Sequence, residues 1–248
     1  MATAEGLSKT VSRKGKRYYD VGIGLLLPSV TTILGTMTDK SGLDQWRAKI
    51  GAAKADAIST KAANRGTVMH QMIEYFLLSP YTERGDRLRD AQLKTAAFVL
   101  EKEFTEEEAE IGRKLFYNFY NWGSFDAIAE VVSIEETLHS TKAGGYAGRV
   151  DTIYRKKTGE LVISDYKTSR KPKKTEWIEN YFMQAAAYYV AYWEMTGEQP
   201  GSCEIWISNE EDAEPQIFIM NRDEIRVHAH AFLKLVSGFH KSHLREDI

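Results

Sequence analysis

Hydrophobic and polar positions change their spacing about halfway along the chain. Residues from about 40 to 121 are rich in Ala, Lys, Glu, Leu and Met, the amino acids that favour helices. Between residues 64 and 78, apolar positions recur every three or four residues, as on one face of an amphipathic helix. The stretch 79–85 interrupts this pattern, and helical patterns resume at 86–103 and 106–120. We therefore predict that this half of the chain is a set of helices.

From about residue 126 the spacing shortens towards the alternation of β-strands. Two further helices are predicted at 174–196 and 223–239. The predicted strands are 127–137, 146–155, 161–168, 204–208 and 216–220. The turn sequence Lys156-Lys-Thr-Gly159 predicts a hairpin between the second and third of these strands. Strands that alternate with helices in this way predict an α/β fold, with helices flanking a mixed sheet.

The first 35 or so residues combine a basic stretch with glycines and apolar positions. Positive charges are concentrated in residues 9–17, and Gly22 and Gly24 follow. This pattern predicts a β-hairpin or short strands. Pro28-Ser29 is typical of a helix start, in which the Ser29 side chain would cap the following helix.

Composition sets broad limits on the class of protein. The chain has 248 residues, of which 43% are hydrophobic and 27% are charged, so a folded core of useful size is expected. The formal net charge of −2 does not itself indicate a nucleic-acid partner. A local basic surface can still bind phosphate on a protein whose total charge is slightly negative.

The single cysteine, Cys203, limits both the covalent chemistry and the compartment. One thiol excludes a disulfide within the chain and any four-cysteine zinc or iron–sulfur site. The longest apolar run, 21–30, contains Pro28 and is far shorter than the roughly 20 residues needed to cross a bilayer. We therefore expect a soluble, cytoplasmic protein with no membrane partner.

The residues that suggest chemistry lie on the predicted hairpin. In the strand 161–168, alternation places Asp165 and Lys167 on one face and Tyr166 on the other. The hairpin can bring Asp151 of the preceding strand alongside Asp165. Two carboxylates held together repel each other, and a magnesium or manganese ion, which prefers oxygen ligands, would relieve that repulsion. The pattern thus predicts a divalent-cation site.

Such a site would have the groups needed to hydrolyse a phosphodiester. Metal ions held by carboxylates can activate water and neutralise developing negative charge. The Lys167 ammonium would hold the attacking water and stabilise the transition state. The alternative is a surface hairpin with an ordinary Asp–Lys salt bridge, and an Asp-Xaa-Lys sequence alone does not distinguish the two.

Three motifs in this order resemble the RecB-like branch of the PD-(D/E)XK nucleases. They are Gly148-Arg-Val-Asp151, Asp165-Tyr166-Lys167-Thr168 and Gln184-Ala-Ala-Ala-Tyr188. The first and last residues of the third motif lie one helical turn apart, so they share a helix face. The resemblance implies a restriction-endonuclease-like α/β fold, with a mixed central sheet flanked by helices and a helical N-terminal lobe. It also implies a catalytic set of Asp151, Asp165, Lys167, Gln184 and Tyr188.

The same branch carries an upstream helical motif that ends in histidine, and Arg65-Gly66-Thr67-Val-Met-His70 resembles it. By this resemblance, the metal ligands would be His70, Asp151, Asp165 and the backbone carbonyl of Tyr166. Glu74, one turn after the histidine, is a further candidate. Another acidic ligand is expected on the strand before the hairpin. Glu130 is the candidate there, although the strand register could instead select Glu135 or Glu136. For a single helical histidine, the alternative is a packing role.

The segments Pro28-Ser-Val-Thr-Thr-Ile-Leu and Leu43-Asp-Gln-Trp46 are also similar to the mitochondrial genome-maintenance exonuclease and to phage relatives in this branch. Both segments are mostly apolar, so they fit plain helix packing equally well. Several RecB-like relatives hold an iron–sulfur cluster with four cysteines, which a chain with one cysteine cannot do. The resemblance therefore implies magnesium or manganese as the cofactor and no iron–sulfur cluster.

Basic residues near the site are expected to hold the DNA backbone. Three basic clusters, 13–17, 155–157 and 170–174, could contact phosphates without reading bases, and a solvated loop is the alternative for each. The candidate DNA-binding residues are Arg65, Arg149, Thr168, Arg170, Lys171, Lys173 and Lys174.

These features predict a magnesium- or manganese-dependent deoxyribonuclease, most concretely an exonuclease that acts on single-stranded DNA or DNA ends. DNA repair or recombination is the setting expected from the relatives. The alternatives are a structure-directed endonuclease of the same fold, a catalytically inactive DNA-binding or assembly module, and a metalloenzyme that hydrolyses small phosphoesters. We expect one nuclease domain over 1–248, in which a helical lobe at 36–125 carries His70 and residues 126–248 form the catalytic core.

Overall fold

The chain forms eight strands and seven α-helices within residues 9–22 and 24–243, the part that the computed structural model describes. In chain order they are β1 (Thr10–Arg13), β2 (Lys16–Asp20), β3 (Leu26–Pro28), α1 (Val30–Met37), α2 (Ser41–Ile50), α3 (Ala52–Leu77), α4 (Arg84–Glu101), α5 (Glu106–Trp122), β4 (Ile128–Ser140), β5 (Tyr146–Lys156), β6 (Leu161–Ser169), α6 (Glu179–Thr196), β7 (Ser202–Asn209), β8 (Gln216–Met220) and α7 (Arg222–His243).

A five-stranded mixed sheet of order β4-β5-β6-β7-β8 forms the centre of the molecule. Neighbouring strands are antiparallel except β6 and β7, which are parallel because α6 carries the chain back between them. The β5–β6 hairpin and all five predicted strands are present. The predicted fold class, an α/β fold of the restriction-endonuclease type with a mixed sheet between helices, is confirmed.

The predicted helices are present with altered ends. The helix predicted at 64–78 is the second half of the longer α3, which begins at Ala52. Thr105 and Glu108 form a capping box that fixes the start of α5. The helix predicted at 174–196 begins later, at Glu179, because residues Thr175–Trp177 form a separate 3₁₀ turn and Ile178 has non-helical backbone angles.

Helices cover both faces of the sheet and bury a core on each side. On one face, α1, α6 and α7 pack on Leu161, Ile163 and neighbouring side chains. On the other face, α3 and α5 pack on Val162, Tyr166 and Trp206. The alternation predicted for β6 is therefore correct, and both faces of this strand are buried as it approaches Asp165.

A second, three-stranded antiparallel sheet of order β1-β2-β3 lies against the start of β5. Tyr19 and Leu27 pack on Ala147, and Ser29 forms an isolated parallel bridge with the same alanine. The Ser29 hydroxyl accepts a hydrogen bond from the Thr32 N–H and caps α1, as its sequence predicts. In the described part of the chain, no helix is both long enough and apolar enough to span a membrane.

Candidate metal centre and cleft

The candidate site forms where β5 and β6 separate. The ladder between these strands runs from the Arg155–Leu161 pair to the Thr152–Ser164 pair, and Asp151 and Asp165 are the next residues on each strand. In place of a ladder bond, the Tyr166 N–H donates to Oδ2 of Asp151 at 2.6 Å. The separation of the strands thus leaves two neighbouring carboxylates outside the ladder, close enough for the charge of Asp151 to act on Asp165.

Asp165 and Lys167 project from the same face of β6 and form an ion pair. Asp165 is 1% exposed, and burial raises its pKa to about 6 against the opposing charge of Lys167 and with a further contribution from Asp151. Burial alone would lower the pKa of Lys167, but the carboxylates of Asp165 and Asp151 offset that effect and raise it. The Lys167 ammonium therefore stays charged beside Asp165, and it also lies 5.3 Å from the Tyr181 ring centre.

His70 reaches the same place from α3. The buried neighbours Met69 and Ile73 anchor this turn of the helix, and Nδ1 of His70 lies 3.6 Å from Oδ1 of Asp151. Burial and the charge of Lys167 lower the pKa of His70 to about 4, although Asp165 and a hydrogen bond with the Tyr166 backbone act in the opposite direction. The imidazole is thus neutral at pH 7, which is the form that binds a metal ion.

Glu135 completes the cluster from β4. Single ligand atoms of His70, Glu135 and Asp151 all lie within 4.8 Å of one another. Burial, followed by the charge of Asp151, raises the pKa of Glu135 to about 7, and the nearby Arg149 acts against this rise. One imidazole and two carboxylates form a donor set that suits a divalent cation, and a bound cation would relieve the repulsion between the acids.

The two predicted accessory acids occupy different surroundings. Glu74 lines a cleft together with His70 and Glu135 and accepts a hydrogen bond from Gln71. Glu130 is 66% exposed and pairs with Arg155, so the structure does not bring it to the cluster. The acid on β4 that faces the site is Glu135, because irregular pairing at Ile128/Glu130 and Val131/Ser133 shifts the register of this strand. Glu135 was one of the alternatives that the sequence allowed, but the pairing register of β4 could not be fixed from the sequence.

Gln184 and Tyr188 lie on the buried face of α6, one turn apart, and Nε2 of Gln184 donates to the Tyr188 hydroxyl at 3.0 Å. A Cβ atom on Gly148 would lie 2.7 Å from Cε1 of Tyr188. The glycine of the first motif is therefore what allows the tyrosine of the third motif to lie against β5. The charges of both Asp165 and Asp151 act on Tyr188, after burial, to raise its pKa.

Two clefts meet at the metal-ligand cluster. The first, of about 450 Å³, is lined by Asp151, Gln184 and Tyr188 and by residues of the N-terminal sheet. The second, of about 600 Å³, runs along α3 past His70 and Glu74. Glu135 and Arg149 line both clefts, so the two clefts adjoin at these residues, beside the candidate ligands. We refer to the two adjoining clefts together as the substrate channel, after the function proposed below.

The chain also matches a protein family. A family model described as the PD-(D/E)XK nuclease superfamily matches residues 45–242, which include every member of the cluster. This chain belongs to the PD-(D/E)XK nuclease superfamily. Membership of this superfamily implies a nucleic-acid substrate and the use of a divalent metal ion.

Other comparisons with this PD-(D/E)XK chain give only remote likenesses. No curated protein matches it. A solved structure named SSO0001 is 16% identical with a TM-score of 0.33, and the match covers 68% of this chain and 84% of that protein. A candidate exonuclease from Eubacterium rectale is 14% identical with a TM-score of 0.40, over 72% and 68% of the two chains. Rai1 from Scheffersomyces stipitis is 14% identical with a TM-score of 0.28, over 75% and 60%. Such scores do not establish a shared function.

The predicted DNA-contacting residues of this PD-(D/E)XK chain separate into two groups. Arg149 and Thr168 line the substrate channel. The others lie outside the lining of its two clefts, within the part of the chain that the structure describes. Arg65 forms an ion pair with Glu210, Arg170 and Lys171 lie near Glu211, the Lys173 N–H donates to Gln216, and Lys174 lies over the Trp177 ring.

Proposed function

We propose that this chain is a magnesium- or manganese-dependent deoxyribonuclease of the RecB-like branch, which hydrolyses single-stranded DNA from free ends. The observation that carries the proposal is the meeting of His70, Glu135 and Asp151 within 4.8 Å, beside the Asp165–Lys167 ion pair. This combination would supply a cation site next to an ammonium group. A structural salt bridge alone would not need the histidine or the third acid.

The residues of the cluster suit the hydrolysis of a phosphodiester. A bound divalent cation would act as a Lewis acid on the phosphate and favour ionisation of the attacking water. His70, Glu135 and Asp151 would hold that cation, and Asp165 would join them when substrate binding draws Lys167 towards the phosphate. Lys167 would then hold the attacking water and stabilise the negative charge that develops on phosphorus-bound oxygens. The attacking water would form the new P–O bond and lose a proton to solvent, while the P–O bond to the displaced nucleotide oxygen breaks and that oxygen takes a proton from solvent.

Gln184 and Tyr188 would act on the other side of the channel. Their hydrogen bond fixes the tyrosine hydroxyl next to Gly148, where it lines the first cleft with Asp151. Because its pKa is raised, Tyr188 stays protonated and can donate a hydrogen bond to a phosphate oxygen. We assign these two residues to substrate positioning.

The size of the channel supports a single strand as the substrate. Clefts of about 450 and 600 Å³ are comparable to small-molecule pockets, which admit a few nucleotides but do not enclose a duplex. Preference for free ends is supported by the resemblance of the three motifs to RecB-like exonucleases.

The test is digestion of DNA labelled at the 5′ or the 3′ end, single-stranded or double-stranded, with magnesium, with manganese and with a chelator. We expect metal-dependent release of short products from the single strands and an intact closed circular single strand. Cleavage of the circle would support the endonuclease alternative. Cleavage of small phosphoesters without competition by DNA would support the phosphoesterase alternative.

Two variants separate catalysis from binding in this assay. Lys167→Ala and Asp165→Asn should reduce cleavage by about 100- to 1,000-fold, as expected when an interaction made in the transition state is lost, while both proteins still bind single-stranded DNA. If the parent protein binds DNA but shows no cleavage with any divalent metal, it is a DNA-binding module and the proposed activity is wrong.

A further inference from the structure

Arg17 lies on the part of the channel wall that the N-terminal sheet forms. It is two residues from Tyr19 on β2, so the two side chains point to the same side of the strand. Both line the first cleft together with Asp151 and Arg149. The N-terminal sheet lies outside the three motifs, and only its position in the fold brings Arg17 to the candidate metal centre.

The backbone of Arg17 is held on both sides by the start of α1. Its N–H donates to Oγ1 of Thr32 at 3.1 Å, and its carbonyl accepts a hydrogen bond from the Ser29 N–H at 2.9 Å. Ser29 in turn bridges Ala147, four residues before Asp151 on β5. The position of Arg17 relative to the metal ligands is therefore fixed by hydrogen bonds and by a β-bridge.

Arg17 differs from the other cations at the site in that no acidic side chain pairs with it in the described part of the chain. Arg149 lies 3.4 Å from Glu135, and Lys167 pairs with Asp165. Within residues 9–22 and 24–243, the guanidinium of Arg17 has no carboxylate partner, and its side chain is exposed to the cleft. A guanidinium matches two phosphate oxygens at once, so a phosphate is the ligand that its geometry favours.

We propose that Arg17 binds a backbone phosphate next to the scissile one and so holds the strand across the metal ligands. This inference rests on the proposed function, because it requires a nucleic-acid strand in the substrate channel. The contact would be made to the bound substrate and to the transition state equally. Its loss should therefore raise KM and leave kcat nearly unchanged.

The first experiment compares Arg17→Ala with Arg17→Lys and with Arg13→Ala as a matched control. Arg13 belongs to the same basic cluster and carries the same charge, but it lies on β1, is exposed and lines neither cleft. We expect Arg17→Ala to raise KM for single-stranded DNA by about 10-fold or more, as for the loss of a hydrogen bond to a charged group. Arg17→Lys should recover part of this loss, and Arg13→Ala should match the parent protein. Equal melting temperatures will exclude misfolding as the cause.

Binding at different salt concentrations gives a second readout, which a structural role would not change. In the cleavage-deficient Lys167→Ala background, removing one phosphate contact to a single strand should reduce the slope of log affinity against log salt by about 0.7. Arg17→Ala should show this reduction for every base sequence, and Arg13→Ala should not.

The position of the contact can be mapped with oligonucleotides in which one linkage is an uncharged methylphosphonate. The neutral linkage should weaken binding to the Lys167→Ala protein most at one position near the cut. Once Arg17→Ala is added, that position should have no further effect, since both changes remove the same interaction.

The outcomes separate this inference from the proposed function. If the parent protein cleaves DNA but Arg17→Ala and Arg13→Ala agree within twofold in KM and salt slope, Arg17 does not bind phosphate and the proposed function stands. If the parent protein does not cleave DNA, the proposed function fails. The inference is then decided by binding alone, and it is wrong if Arg17→Ala binds single-stranded DNA as tightly as Arg13→Ala.

Discussion

Glu135 carries two local costs, which a function at the candidate metal centre would explain. Its φ of 53° lies in the left-handed region, which costs a residue with a side chain roughly 1–2 kcal/mol. Its carboxyl is also half-buried beside Asp151. Strained backbone and unfavourable charge at one residue are typical of functional sites. The unusual backbone angle and the partial burial together hold the carboxylate where it could bind a cation.

Replacement of Glu135 should therefore weaken the metal site. We expect Glu135→Gln to lower affinity for manganese, and cleavage at limiting manganese, on the order of 100-fold, because changes even to residues around metal ligands cost 10- to 100-fold. Titration calorimetry measures the affinity for manganese, and digestion of a labelled single strand measures cleavage.

Glu130→Gln is the matched control, since it removes the same charge from the same strand at an exposed position. It should leave both measurements within twofold of the parent protein. Equal losses from the two substitutions would mean that Glu130 and Glu135 act through the general charge of β4, and Glu135 would then not be a ligand.

The raised pKa of Glu135 also predicts how stability depends on pH. In the metal-free folded state its pKa is about 7, against 4.5 for an ordinary glutamate, so the folded protein binds this proton more tightly than the unfolded chain. The contribution of Glu135 to stability is then fully present below pH 4.5 and is lost as the pH rises through 7. Glu135→Gln removes this loss.

The difference in melting temperature between Glu135→Gln and the parent protein should therefore grow as the pH rises from 5 to 8 in a chelator. Between these two pH values, the difference in unfolding free energy should grow by on the order of 1–3 kcal/mol, which corresponds to several degrees in melting temperature for a chain of this size. His70, whose pKa is lowered to about 4, has the opposite pH dependence, but it is present in both proteins and cancels in the difference. A difference that stays constant with pH would mean that Glu135 is ionised throughout the range.

At the level of elements, periodicity predicted the secondary structure well because each element buries a regular face. The alternation along β6 correctly separated Asp165 and Lys167 from Tyr166. The register of β4 could not be predicted, because its bulges depend on pairing with β5 and not on the local sequence. The same limit applies to the 3₁₀ turn at Thr175–Trp177, which is composed of residues that also suit a helix.

The contact between α3 and α5 sets the position of His70. A Cβ atom on Gly112 of α5 would lie 2.6 Å from Cβ of Val68 and 2.8 Å from the carbonyl oxygen of Arg65. The backbone cannot yield without moving α3. We expect Gly112→Ala to lower stability by about 1–3 kcal/mol and to weaken manganese binding, although the substituted residue touches no ligand. Thermal unfolding and calorimetric titration measure the two effects.

Gly85→Ala provides the comparison for Gly112→Ala. Gly85 also lies in a helix, α4, but a Cβ atom there would meet nothing within 4 Å. This change should be neutral, or stabilising by less than about 1 kcal/mol through helix propensity. If Gly112→Ala also leaves manganese affinity unchanged, the packing of α5 does not control the placement of His70.

At the scale of the whole molecule, the candidate site joins parts of the chain that no local pattern connects. His70 comes from the helical half, whereas Glu135 and Asp151 come from the sheet. Ion pairs over long sequence separations likewise decide which cations face the substrate channel, as with Arg65 and Glu210. Such pairings arise only from the folded arrangement. For this reason the sequence indicated Asp151, Asp165 and Lys167, and it named Arg149 and the basic cluster 13–17. It did not separate Arg17 and Arg149, which line the channel, from Arg65, which does not.

A cation held between the two halves should stabilise the entire fold. A metal at 100 times its dissociation constant adds about 2.7 kcal/mol to the free energy of unfolding, or roughly 5–10 °C in melting temperature for a chain of this size. We expect such a rise with manganese at pH 7.5, measured by calorimetry. His70→Ala should abolish it. His230→Ala, which removes an exposed histidine from α7, should retain it. Because a metal bound by this cluster would tie α3 to β4 and β5, proteolysis between α3 and the sheet should slow in parallel. If the melting temperature rises equally in the His70→Ala protein, the cation binds elsewhere and the cluster is not the metal centre.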